Sequence, residues 1–207
     1  MALDNIKSKI QDNKNEKEKK LLDTALRLFI EKGIKKTSIA DIAKNAGIAK
    51  GTFYLYFKDK YELQDILLAK TSYELFSRAQ KALEEKNIER LDDKIIFMID
   101  YIIDALKNDL NIIKFIQKNL SLGLYGEKIN DLLDNNELGI KELFIREVHK
   151  RNIELRNPEI TLFMIIELVS STVCSSIIDQ HPLPIDEFKP YLYNAIKLMI
   201  NEKATNV

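Results

Sequence analysis

Apolar side chains recur along this chain at intervals of three and four, the step that lines up one face of a helix, and not in the alternation of a strand. Between Glu16 and Lys32, Leu21, Leu22, Ala25, Leu28 and Phe29 form such a stripe, and Gly33 follows where a left-handed residue would end the helix. Thr37 or Ser38 can then act as N-cap, with Asp41 three residues after Ser38 in the manner of a capping box. The pattern predicts a short helix from Ile39 to Ala46, a stop at Gly47 and a third helix from about Lys50 to Phe57. Asp59 is a plausible cap for a long helix from Tyr61 to Lys86, and more helices are expected at 91–107, 111–122, 128–152, 158–180 and 185–201. Gly123, Gly126, Asn157-Pro158 and Pro182-Leu183-Pro184 punctuate the later ones. The fold class is all-α, with a three-helix head over 1–60 and a larger helical body over 61–207.

Composition agrees with continuous helix. Six glycines and four prolines occur in 207 residues, and no proline precedes Pro158. With 45% apolar and 31% charged residues, a sizeable core and a charged surface are both available. The net charge of zero conceals an asymmetry. Residues 1–60 carry 14 Lys/Arg against 8 Asp/Glu, a balance of +6, whereas residues 61–207 carry 18 against 24, a balance of −6. A basic head on an acidic body suits a nucleic-acid module joined to something else, although solvated surface alone can produce such a split.

Other classes lose ground on the same residues. The single cysteine, Cys174, excludes an intramolecular disulfide and a cysteine-based metal cage, and its apolar surroundings read as a buried small residue. The best membrane-like run, Ile160 to Ile178, is interrupted by Glu167 and several hydroxyls, and the polar, lysine-rich start has no signal-peptide core, so a cytoplasmic protein is expected. With two histidines, no glycine-rich phosphate loop and no metal-ligand spacing, neither an enzyme nor a cofactor or metal is expected.

Residues 39–57 carry the most specific pattern. Two short helices crossing steeply need a small residue where their backbones meet, which Ala43 supplies, and a residue tolerant of positive φ at the turn, which Gly47 supplies four positions later. Ile42, Ala46, Ile48 and Phe53 are apolar anchors on either side. This is helix-turn-helix spacing. An ordinary helical hairpin would also satisfy it, so the outward residues matter. Lys50, Gly51 and Thr52 open the second helix, the end that enters a major groove first and whose dipole favours phosphate. Tyr54 and Tyr56 can set hydroxyls against the DNA backbone, and Lys58 and Lys60 are expected phosphate ligands. Lys50 and Thr52 are the candidates for base readout, Gly51 permits close approach, and Thr37 and Ser38 complete the DNA-contacting set.

The run Ala46-Gly47-Ile48-Ala49-Lys50-Gly51-Thr52-Phe53-Tyr54-Leu55-Tyr56-Phe57, followed by Lys58-Asp59-Lys60-Tyr61-Glu62-Leu63, resembles the signature of the tetracycline-repressor-like (TetR) family. Ala25-Leu26-Arg27-Leu28-Phe29, Gly33 and residues 37–43 resemble its first two helices, so the specific likeness covers about residues 17–68. One departure is Ala49, where the family usually has serine or threonine. Alanine cannot cap, and a lost cap costs about 1 kcal/mol.

The resemblance implies a homodimeric repressor on a palindromic operator of double-stranded DNA, released by a small-molecule effector. The alternative is a related factor controlled by a partner protein. It also implies dimerisation through the last two helices. The nearly unbroken apolar character of residues 162–178 supports that independently, because a helix apolar all round must be covered on all sides. The middle helices would enclose the effector. Phe97, Met98, Tyr101, Ile102, Ile113, Phe115, Ile116, Leu120 and Tyr125 offer apolar or aromatic lining, while Gln117, Asn119, His149 (in a charged run that reads as exposed) and Glu167 are polar candidates. Glu167 needs a partner in so apolar a helix, and a basic group across the dimer is the favoured one over a cationic ligand.

Overall fold

A computed structural model describes residues 2–116, 119–125 and 139–200, and these residues form helices joined by turns and loops, with no strand among them. The chain divides into two compact units, residues 1–67 and 68–207.

The first unit holds α1 (Ala2–Lys32), α2 (Ile39–Asn45), α3 (Lys50–Phe53) and the start of α4 (Lys60–Glu84). Its core is the stripe read from the sequence: Leu21, Leu22, Ala25, Leu28 and Phe29 of α1 are buried with Ile42, Ala43, Phe53 and Phe57. α1 begins earlier than its apolar stripe because nothing in residues 2–15 breaks a helix. Gly33 adopts φ +77° and donates its N–H to Phe29 O at 2.9 Å, the expected C-cap.

The second unit contains the rest of α4, then α5 (Leu91–Asn108), α6 (Leu110–Ile116), α7 (Leu120–Tyr125), α8 (Ile140–Lys150), α9 (Pro158–Ile178) and α10 (Ile185–Ile200). Asn157 caps α9 by accepting the Ile160 N–H, with Pro158 in the first turn, where its missing N–H costs nothing. α9 packs on α5, α7, α8 and α10, burying Leu162, Ile165, Ile166, Val169, Val173 and Cys174. By length and composition α9 could cross a membrane, but half of its most apolar window is already buried within this unit.

Two expectations for this unit need correction. The helix expected over 111–122 is two helices, with the Asn119 N–H closing a turn onto Ile116 O at 2.8 Å. Gly123 does not punctuate; it lies inside α7, where a side chain would collide with α4. Gly126 and the first part of the helix expected at 128–152 lie outside the described residues.

α5 and α10 are joined by a ladder of charge. Lys197 meets Asp93 at 2.9 Å, Lys189 bridges Asp100 and Asp104 at 2.6 and 2.9 Å, and Lys107 meets Asp186 at 2.7 Å. The Tyr193 hydroxyl also donates to Asp100. Burial opposes the charge on Asp100, but the hydrogen bonds from Lys189 and Tyr193 outweigh it and hold the carboxyl below its ordinary range.

Candidate functional site

The α2–α3 segment is built by two terminal motifs. Ser38 Oγ accepts the Asp41 N–H at 3.0 Å while Asp41 Oδ2 accepts the Ser38 N–H at 3.1 Å, a reciprocal capping box that starts α2. The Ser38 hydroxyl, which donates to Asp41 Oδ2 at 2.7 Å, and the Ser38 N–H together hold the Asp41 carboxyl below its ordinary value. At the other end the Gly47 N–H meets Lys44 O at 3.2 Å and the Ile48 N–H meets Ala43 O at 2.9 Å, a Schellman motif. It requires the positive φ of +68° that Gly47 supplies, as its place in the sequence demands. Ala43 is buried at the crossing, and the Phe53 and Phe57 rings pack 5.6 Å apart beneath α3.

α3 is shorter than expected: four residues, continued as turns through Tyr56, with Leu55 and Tyr56 donating to Thr52 O and Phe53 O. A helix of barely one turn has little macrodipole, so any attraction for phosphate must come from side chains and individual N–H groups. Ala49 occupies its N-cap with no side-chain bond, the missing cap read from the sequence. Ser38, Lys50, Gly51, Tyr54 and Lys58 are exposed, and Thr52 and Tyr56 are half-buried. Leu55 is 77% exposed, the most exposed of the large apolar side chains among the described residues.

Two residues assigned to DNA contact are used internally. Thr37 is buried, and its hydroxyl donates to Gly33 O at 2.9 Å and lies 3.3 Å from Leu28 O. Lys60 turns its ammonium onto the loop between α1 and α2, donating to Ile34 O at 2.8 Å and Thr37 O at 2.9 Å. A loop whose carbonyls lack helical partners draws in the nearest cation, and Lys60 is positioned by the Asp59 cap of α4. Both are structural clamps for the turn that presents α2.

The second unit contains a cavity of about 440 Å³ among α4, α5, α7, α8 and α9. Its wall includes Phe76, Met98, Ile102, Leu124, Phe144 and Ile166. None of Tyr101, Phe115, Asn119, Tyr125 and Glu167 lines it, and Gln117 lies outside the described residues. The difference is one of helical phase. On α5 the wall is Ile95, Met98, Ile99 and Ile102, a stripe at three- and four-residue spacing, whereas Tyr101 falls on a different face. Phe115 is buried away from the cavity, and Glu167 is half-buried on α9. The Tyr125 ring packs edge-on against Phe163 at 5.8 Å, and burial, with Glu159 and Glu142 nearby, raises its phenol above the ordinary value. The polar wall residues missed by sequence reasoning are Gln80, Glu84, Lys86, Lys94, Arg146 and Glu147, which look like ordinary polar surface in the sequence.

Residues 21–65 match the family model described as "Bacterial regulatory proteins, tetR family". The chain is 30% identical over 125 residues to the fatty acid metabolism regulator protein of Bacillus subtilis, covering 58% of this chain and 62% of that one. It therefore spans less than two thirds of that relative, and under a quarter of two other Bacillus subtilis regulators that it matches. Similarity to YhgD of Bacillus subtilis, an uncharacterized HTH-type transcriptional regulator, is lower at 26% but extends over 83% of this chain and 89% of the relative. The structure is similar to that of FadR from Bacillus subtilis, solved in complex with stearoyl-CoA, with TM-score 0.60, 20% identity, and coverage of 87% of this chain and 96% of that one. Residues 21–65 are those of a TetR-family DNA-binding head, and the all-helical architecture of the chain is similar to that of solved TetR-family regulators, with a helix-turn-helix head and a helical C-terminal domain.

Proposed function

We propose that the protein is a transcriptional repressor that binds a palindromic operator as a homodimer through α2 and α3 and is released when a small molecule fills the cavity of the second unit. The observation that carries this reading is the double-capped α2–turn–α3 segment, which leaves Lys50, Gly51, Tyr54 and Lys58 exposed. Lys50 and Lys58 have no ion-pair partner among the described residues, so both are free to meet phosphate. Within this reading Lys50 and Thr52 read base edges, and Ser38, Tyr54, Tyr56 and Lys58 hold the backbone. The DNA-binding part is residues 1–60 and the ligand-binding and dimerising part is residues 61–207.

The dimer reading rests on α9 and α10. Ile160, Phe163, Met164 and Ile178 of α9 remain exposed, as do Tyr191 and Leu198 of α10. On α9 they fall at helical spacing, so they share one strip with Glu167. A second copy would bury this strip in an isologous contact and offer Glu167 a basic partner. The stearoyl-CoA held by FadR of Bacillus subtilis supports an effector role for the cavity, and the protein would act in the cytoplasm, where its DNA lies.

The test is selection of genomic fragments by the purified protein at two salt concentrations, beside Lys50→Glu. A palindromic site near a few promoters, lost in the variant and weakened by salt, is the expected result. Absence of enrichment over non-specific DNA would overturn the reading, and a monomeric mass at micromolar concentration would overturn the dimer.

A further inference from the structure

The polar residues of the cavity wall are not scattered. Of the 22 lining residues, sixteen are aliphatic, aromatic or methionine; the other six are Gln80, Glu84, Lys86, Lys94, Arg146 and Glu147. These six belong to the last turns of α4, the loop after it, the first turn of α5 and the C-terminal half of α8. Those segments converge. Arg151, the C-cap of α8, places its guanidinium 3.2 Å from Glu89 O in the α4–α5 loop, and Lys94 lies 3.9 Å from Glu147. The cavity therefore has one charged end, and the rest of its wall is apolar.

At that end the charges are unequally committed. Glu147 is bonded to Arg151, so its negative charge is largely answered. Lys94 reaches Glu147 only at ion-pair distance, beyond hydrogen-bonding range, and is about three-quarters buried. Its ammonium thus sits at an apolar cavity with its strong donor capacity unspent, a placement that rewards an incoming oxyanion. Arg146 and Lys86, both exposed, add positive charge to this end and outnumber the exposed carboxylate of Glu84.

We infer that the cavity takes an anionic amphiphile: an apolar body against the aliphatic wall, with its negative head received by Lys94, with Lys86 and Arg146 at the same end, in exchange for the loose contact to Glu147. This rests on the effector reading above and names the class of effector. A volume of about 440 Å³ lies within the roughly 300–1,000 Å³ of small-molecule pockets and leaves room for such a body. A free fatty acid and its thioester share this chemistry, and they differ in how far the negative charge lies from the chain.

Isothermal titration of the full chain with myristate, myristyl alcohol and myristoyl-CoA, each below its micelle-forming concentration, tests the inference. Myristate is expected to bind about tenfold to a hundredfold more tightly than the alcohol, the range for hydrogen bonds to a charged group. Lys94→Met, which keeps the apolar stem, should erase that preference while leaving alcohol affinity unchanged. Arg146→Gln and Lys86→Gln, both at exposed positions, should each narrow the preference, and they carry the test if Lys94→Met does not fold. Myristate binding above myristoyl-CoA would place the anion at the end of the chain, and the reverse would place it beyond the mouth; either supports the class. Equal affinity for acid and alcohol, or a preference that survives in all three variants, overturns the anionic head and leaves the effector reading intact. Failure of every chain-bearing compound to bind overturns both.

Discussion

Gly123 offers a sharp test of the packing between α7 and α4. A Cβ at this position would stand 2.1 Å from Ser72 Oγ, 2.6 Å from Leu68 O and 2.7 Å from Ser72 Cβ. The hydroxyl can rotate away, but a helical carbonyl and a Cβ cannot move without the backbone. Overpacking of this kind costs about 1–3 kcal/mol, and two immovable neighbours place Gly123→Ala toward the upper end. Replacing a helical glycine with alanine returns up to about 1 kcal/mol. The net loss is about 1–2 kcal/mol, or a fall of roughly 2–8 °C in Tm for a chain of this size. Thermal melting followed by circular dichroism, with urea unfolding as a second probe, reads it directly. Ser72 adds an internal control because its hydroxyl is buried without a hydrogen-bond partner. Ser72→Ala alone should be neutral or slightly stabilising. In combination with Gly123→Ala it should restore only part of the loss, since the Leu68 carbonyl remains. A Gly123→Ala protein as stable as the parent would refute the close approach, and complete rescue by Ser72→Ala would refute the backbone's share of it.

Four further outcomes follow from the head. Lys60→Met removes the cation from Ile34 O and Thr37 O, and should lower stability by about 1.5 kcal/mol in urea unfolding with or without DNA; an effect confined to DNA affinity would restore Lys60 to the phosphate contacts. Ala49→Ser supplies the absent cap of α3 and should raise stability by about 1 kcal/mol or less, while an unchanged denaturation midpoint would show that the turn does not admit the bond. Leu55→Ser should leave Tm unchanged, because the side chain is 77% exposed, yet weaken operator binding if the leucine meets a thymine methyl, and anisotropy on the selected site separates the two effects. The Asp41 carboxyl is held below its usual 3.8 by hydrogen bonds from Ser38, so its contribution is present above that value and lost as pH falls through the lower folded value. Asp41→Asn should therefore flatten the acid side of the stability profile; an unchanged slope between the two proteins would remove the cap from the account.

The head was legible because its constraints are local. Gly33 and Gly47 were readable as left-handed positions, since only such a residue closes a helix within the available spacing, and both have positive φ. Ser38 and Asp41 announced their box by separation alone, and Leu21, Ala25, Leu28, Ile42 and Phe53 announced the core by periodicity. The internal bonds of Thr37 and Lys60 were not legible because their partners are backbone carbonyls, which every residue carries and no sequence pattern marks. A lysine after a helix-turn-helix motif looks the same whether it reaches out to phosphate or folds back onto a loop.

The body shows the opposite condition. A cavity wall and a packed core are written in the same residues at the same spacing, so periodicity does not separate them: Met98, Ile102 and Leu120 line the cavity as expected, whereas Tyr101 and Phe115 do not. Aromatic and polar side chains drew the reading toward Tyr101, Phe115 and Asn119, whereas the volume is bounded mainly by aliphatic groups. What gives such a space chemical character is where its few charges converge. That depends on three helix ends meeting, and the contacts of Arg151 with Glu89 and of Lys94 with Glu147 are the evidence that they do. A DNA-binding head must repeat one geometry on one polymer, so its sequence is tightly constrained. A cavity for an amphiphile needs only enough apolar volume and a charge at one end, which many sequences supply, so the ligand class we propose rests on the placement of Lys94 rather than on any motif around it.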